Sequence, residues 1–257
     1  MTDPGTPPFG SVHYDDLTMD QARAAAQAGA VVLLPLGSVE EHGPHLPLST
    51  DSLQPEYVAA EVARRTGSLV APPLRYGLCE AARHFPGTLS IEFDTLRALI
   101  RDLLSELIRQ GFRRVVILSG HAGSAHMTAL RLAAREVIQR HRDTPPPRRP
   151  RVLVLSDYDF AYLLRGQDFD PRDGHAGTIE TSRVLALRPD LVRDLPPPDY
   201  PQLPRFEVVP DPESYFPQGY LGDPSAASAE KGRMLNGFII AELVKLVEGL
   251  KETPGER

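Results

Sequence analysis

The chain has very little with which to cross-link itself, cross a membrane or bind a polyanion. Its single cysteine, Cys79, excludes an intramolecular disulfide and fits a reducing compartment. No run approaches the roughly 18 consecutive apolar residues of a membrane helix. The opening MTDPGTPPFG lacks the basic and apolar regions of a signal peptide. No basic stripe with interleaved aromatics is present. The formal net charge is −6, and the densest basic run, Arg148-Arg149-Pro150-Arg151, falls in a Pro-rich loop. Neither Ser38 nor Ser124 sits in the G-x-S-x-G turn of a serine hydrolase. The expectation is a cytoplasmic protein that takes a small-molecule substrate and engages neither nucleic acid nor membrane.

What is present is an ordinary globular composition. The chain has 257 residues, 41% apolar and 24% charged, enough to bury a substantial core. Residues 1–10 are rich in Pro and Gly and read as a flexible terminus, as do residues 251–257. Residues 11–250 read as one domain. Within it, helical and strand patterns alternate. Helices are expected over Asp20–Ala28, Leu53–Arg65, Thr95–Gln110, Ala125–Arg140, Gly177–Leu187 and Ala226–Leu250. Asp94 and Asp223 stand as N-caps, Asp51 as either a cap or a ligand. Short apolar runs at Ala30–Leu36, Leu69–Leu74, Arg113–Ser119 and Arg151–Ser156 read as strands, the second limited by Pro72 and Pro73. This alternation predicts an α/β fold with a mostly parallel sheet covered on both faces.

In such sheets ligands gather at the carboxyl ends of the strands. Three predicted strands are followed there by metal-type side chains. Glu40, His42 and Asp51 follow the first, His121 follows RRVVILS, and Asp157 follows RVLVLS. Glu40 and His42, two apart, share a face if the chain stays extended. Mixed His, Asp and Glu ligands suit Zn²⁺, Mn²⁺ or Fe²⁺. The plain alternative is a polar loop with Asp51 capping the next helix. His121 lies between small residues in LSGHAGS, as a ligand or a turn residue. His175 and Glu180 lie in DGHAGTIETS, Glu180 as ligand, general base or a helix-dipole partner, His175 as proton shuttle. His84, in the turn HFPGTLS, could line a pocket. Glu41 and His45 read as loop residues outside the ligand shell, His126 as a helix-surface residue and Cys79 as packing.

Five segments occur together in one order: LPLGSVEEHGPHLPLSTD, HFPGTLS, GHAGS, GHAGTIETS and YLGDPSAASAEKG. In this the chain resembles the creatininase (creatinine amidohydrolase) family over essentially its whole length. The resemblance implies a three-layer α/β/α sandwich, frequently hexameric, with one or two divalent metals that hydrolyse a C–N bond in a cyclic amide, formamide or small peptide through a metal-bound hydroxide. It implies Glu40, His42, Asp51 and His121 as ligands, Asp51 as the bridge, and His175 as proton carrier. Where creatininase has a ligand glutamate this chain has Gly123, and Glu180 is the candidate replacement. Gly123, His84 and Asp157 are then candidates for substrate contact. The family's N-G-H-G-G-N is S-G-H-A-G-S here, and the chain has no Trp to pack creatinine. A lactone or sugar-ring hydrolase on the same centre, and a non-catalytic binding protein, are the alternatives.

Overall fold

The computed structural model describes residues 8–202 and 204–252, so the expected flexibility of residues 1–7 and 253–257 lies outside the described residues. Four parallel strands, β1 (Val31–Leu36), β2 (Leu69–Val70), β3 (Arg114–Ser119) and β4 (Arg151–Ser156), form a sheet in the order β2-β1-β3-β4. The chain leaves β1 for β2 on one side and returns to β3 on the other. β1 and β3 therefore flank the switch point, where ligand crevices open in this class of sheet.

Among the described residues seven α-helices accompany the sheet: α1 (Met19–Gln27), α2 (Thr50–Thr66), α3 (Phe93–Arg109), α4 (Ser124–Arg140), the single turn α5 (Tyr158–Ala161), α6 (Thr178–Leu187) and α7 (Ala229–Lys251). Side chains alternate across each strand and feed two cores. Val31, Leu33, Val116 and Leu118 pack with Val58, Val62 and Ile239 from α2 and α7. Val32, Leu34, Val115 and Ile117 pack with Ile100, Leu104 and Leu130 from α3 and α4. The expected three layers are present.

Several boundaries differ from those read in the sequence. The second strand is only two residues long, because Pro72 and Pro73 have no N–H to extend the ladder. Helix α2 begins at Thr50, which puts Asp51 inside its first turn and Ser49 at the cap position. Glu92, not Asp94, precedes α3. Asp223 precedes a separate 3₁₀ turn, and Ser228 caps α7 by accepting the Lys231 N–H.

Behind the sheet ends, Arg183 on α6 is fully buried. Its Nη2 donates to Asp157 Oδ2 at 2.6 Å and its Nε to Asn236 Oδ1 at 2.9 Å, tying α6 to the end of β4 and to α7. Replacing Arg183 by Met would leave Asp157 as an uncompensated buried charge. Denaturant unfolding is expected to show a loss of about 3–5 kcal/mol, with part recovered when Asp157→Leu is added.

Candidate metal centre

Four chain segments converge beyond the carboxyl ends of β1 and β3. The loop after β1 brings Glu40 and His42, the first turn of α2 brings Asp51, the loop after β3 brings His121, and the first turn of α6 brings Glu180. All five side chains are buried, none more than 8% exposed. The main chain makes this convergence close. A Cβ added at Gly37 or Gly120 would strike the Asp51 carbonyl, so the strand ends and the start of α2 approach as only glycines allow. Pro55, which has no N–H to bond that carbonyl, packs at the same place.

The Asp51 carboxylate stands between two imidazoles. Oδ1 lies 3.1 Å from His42 Nε2, and Oδ2 lies 3.1 Å from His121 Nδ1. His121 Nδ1 is also 2.8 Å from Glu40 Oε2, and His42 Nε2 is 3.5 Å from Glu180 Oε2. The far nitrogen of each ring is engaged by a backbone carbonyl: His42 Nδ1 by Glu40 at 3.1 Å, His121 Nε2 by Leu78 at 2.9 Å. Those carbonyls take the ring N–H of a neutral imidazole and leave the inward nitrogens as lone pairs. Each inward lone pair then faces carboxylate oxygen, and positive charge is required between them. Burial opposes charge on His42, but Asp51, Glu180 and Glu40 outweigh it and raise its pKa to about 10. His121 is raised for the same reason by Glu40 and Asp51, again against burial. Burial likewise opposes ionisation of Asp51, yet the two imidazoles hold its carboxyl well below the usual range.

Protons could supply that charge, but the geometry fits cations better. His42 Nε2 and Glu40 Oε2 are buried and make no hydrogen bond of acceptable geometry despite the short separations. One ligand atom from each of His42, Asp51 and Glu180 lies within 4.8 Å of the other two, and the same holds for Glu40, Cys79 and His121. Imidazole and carboxylate donors of this kind suit divalent transition metals.

Glu180, at the third position of α6, also reaches back to the Ala176 N–H at 2.5 Å. It thus serves the helix start and the cluster together. Ala176 itself has φ of 52°, a conformation uncommon outside glycine. Its carbonyl is held by buried His45, whose Nε2 lies 3.1 Å from it and 2.9 Å from Thr181 Oγ1. Asp173 holds the same helix start by accepting from the Thr178 and Ile179 N–H groups, since Gly177 at the cap has no side chain.

His175 lines a cavity of about 340 Å³ that opens onto Glu40, Asp51, His121 and Glu180. Its Nε2 is 2.9 Å from the Glu41 carbonyl and 3.3 Å from Glu41 Oε1. Glu41, outside the ligand cluster as expected, is therefore the partner that orients His175. Gly123 also lines the cavity. A Cβ there would lie 2.6 Å from His121 Nε2, so this loop conformation excludes a side chain such as glutamate.

Three expectations are corrected. Asp157 is fully buried against Arg183 and does not reach the cavity. His84 is exposed on its turn and is not part of the cavity wall. His126 is not on the helix surface: it is 0% exposed and packs edge-on against His121 with centroids 4.9 Å apart. Its Nδ1 accepts the Leu78 N–H at 3.2 Å, and burial, reinforced by His121, lowers its pKa to about 3, so it stays neutral. Ser38, weighed in the sequence only as a nucleophile, donates to Asp51 Oδ2. Cys79 is buried beside the cluster, and burial together with Glu40 pushes its thiol up to about 12.

Replacing His126 by Ala removes the acceptor of the Leu78 N–H and opens a hole beneath His121. Thermal unfolding is expected to register a loss on the order of 2–4 kcal/mol. His126→Asn, which restores an acceptor near Nδ1, is expected to recover part of it.

Comparison with known proteins agrees with this geometry. The Creatininase family profile, described as creatinine amidohydrolase, matches residues 15–247. Creatinine amidohydrolase of Pseudomonas putida is 36% identical over 249 residues, covering 88% of this chain and 92% of that protein. A mycofactocin precursor peptide peptidase of Mycobacterium ulcerans is 31% identical, covering 87% and 86%. A 3-dehydro-scyllo-inosose hydrolase of Thermotoga maritima is 24% identical, covering 82% and 64%. The crystal structure of a creatininase superposes with a TM-score of 0.84 at 31% identity, covering 95% of this chain and 98% of that one. Manganese and zinc–zinc forms of creatininase match with TM-scores of 0.83 and 0.82 at the same identity. The chain belongs to the creatininase family of metal-dependent hydrolases.

Proposed function

We propose that this chain hydrolyses a C–N bond in a small amide at a centre for two divalent cations. The observation that carries this reading is the Asp51 carboxylate with one oxygen toward His42 and the other toward His121. Asp51 would bridge the two positions, with His42 and Glu180 completing one and Glu40 and His121 the other. Zinc, manganese or iron bound there would polarise the amide carbonyl and make water available as a nucleophile at neutral pH.

The chain's own groups do the rest. Ser38 orients the bridge through its hydrogen bond to Asp51. The Leu78 and Glu40 carbonyls hold the imidazoles in the tautomer that presents a lone pair inward. Glu41 engages His175 at Nε2, which leaves Nδ1 as the ring nitrogen that exchanges a proton with the leaving amine. The cavity wall includes Leu78, Tyr162, Phe216 and Leu221 but no Lys or Arg. A substrate with an apolar body is thereby favoured, and among the described residues a substrate carboxylate finds no Lys or Arg in this wall.

A lactone or sugar-ring hydrolase is the second reading, favoured by the inosose hydrolase relative. The two apolar cores share one sheet, which supports reading residues 11–250 as one domain. Among the described residues no helix is long and apolar enough to cross a membrane. A single buried cysteine, in no disulfide, supports a cytoplasmic setting. Exposed Phe206 and Val208, 90% and 98% accessible, support self-association, a hexamer being the form the resemblance suggests.

Elemental analysis and a panel of cyclic amides, formamides, short peptides and lactones test the reading. The purified protein is expected to carry about two transition-metal ions per chain and to turn over an amide. Removal of metal by a chelator should abolish turnover, and metal addition should restore it. Asp51→Ala should lose metal and turnover together. Full metal occupancy in that variant would overturn the bridging role, and protein that takes up no transition metal would favour a non-catalytic binding protein.

A further inference from the structure

Among the described residues grouped as potential metal donors at this cluster, Cys79 is the one that this mechanism leaves unused. It is 1% exposed, and the main chain leading into it is fixed by hydrogen bonds. The preceding residue, Leu78, donates its N–H to His126 and offers its carbonyl to His121. The Cys79 N–H donates to Ser90 Oγ at 3.0 Å. That net fixes the main chain that carries the sulfur, and the buried surroundings keep the sulfur beside the cluster.

We propose that Cys79 is a protein ligand to the cation shared by Glu40, Asp51 and His121. This rests on the two-cation reading above and goes beyond it, because it makes the two halves of the centre chemically unlike. Two observations carry it. Donor atoms of Glu40, Cys79 and His121 all lie within 4.8 Å of one another. In addition, Glu40 Oε2 is buried 2.8 Å from His121 Nδ1 yet makes no hydrogen bond of acceptable geometry, which leaves an anionic oxygen in this triad without a proton donor. Tetrahedral ligation places sulfur and nitrogen donors roughly 3.5 Å apart. The three donors therefore need to close by little more than about 1 Å at most when a cation enters.

The chemistry distinguishes this half from the other. His42, Asp51 and Glu180 offer only nitrogen and oxygen, a set that zinc, manganese and iron all accept. A thiolate in the Glu40 half favours zinc and disfavours manganese there. As the sulfur–metal bond forms, the thiol proton leaves to solvent and the thiolate pair becomes the bond. The competing account is that Cys79 only fills space beside the cluster.

Cobalt(II) separates the two accounts by absorption rather than by activity. Metal-free protein is loaded with Co²⁺ alone, and the bound metal is counted. Wild type is expected to take up two equivalents and show a thiolate-to-cobalt charge-transfer band in the near ultraviolet. Cys79→Ser should lose that band while retaining cobalt in the other half. Zinc affinity of one site should fall in this variant on the order of 100-fold, with manganese less affected. Two bound cobalt ions in wild type with no such band would overturn the proposal, whatever the folding of the variant. So would a band that survives Cys79→Ser. Failure of wild type to bind cobalt at all would instead sink the two-cation reading on which this one rests.

Discussion

Three carboxylates, Glu40, Asp51 and Glu180, are buried around the same two imidazoles at the end of the sheet. That concentration of negative charge out of water is the constraint around which the molecule is organised. Buried carboxylates are tolerable only when paired or metal-bound. The imidazoles of His42 and His121 lie between them, but their outward N–H groups are committed to backbone carbonyls. What is left facing the acids is lone-pair density, and divalent cations fit that arrangement. Glycines at the strand ends, a proline in α2 and the Ala176 turn all serve to bring the acids this close.

The layers and their order were readable from the sequence because each strand is a short apolar run and each long helix has a regular apolar stripe. The ligand segments were readable for a different reason: they follow buried strands, where this topology places ligands. The limits are equally physical. Asp51 lay one residue inside its helix rather than at the cap, because Pro47-Leu48-Ser49 already turns the chain and Thr50 starts the coil. The neighbours that position the ligands were hidden, since contacts across long sequence separations leave no local pattern. His126 meets Leu78, 48 residues away, and Glu41 meets His175, 134 residues away. A histidine at the third position of an Ala-rich helix looks like surface decoration until the loop beneath it is placed.

The loop after β3 carries Gly123, and the first turn of α6 brings a buried carboxylate to the cluster. Gly123 closes over the ring of His121, where a side chain cannot fit. Glu180 then does two jobs. Its carboxylate satisfies the Ala176 N–H near the helix start and also faces His42. The unusual Ala176 backbone and the His45 hydrogen bonds that hold it are thereby tied to the charge cluster, so the strain in that turn is shared with the centre.

The apolar wall of the cavity comes from different pieces of chain than the acids do. Leu78, Phe216 and Leu221 sit on irregular connections, whereas Asp51 and Glu180 sit on the first turns of long helices docked against the sheet. Such a division separates what a lineage must keep from what it is free to vary. The connection that carries Phe216 can change length or sequence while the charged cluster stays where the sheet ends and helix starts put it. One scaffold can in this way diversify toward the unlike compounds named for its relatives, an amide ring, a peptide and a cyclic sugar derivative, without having to rebuild its chemistry each time.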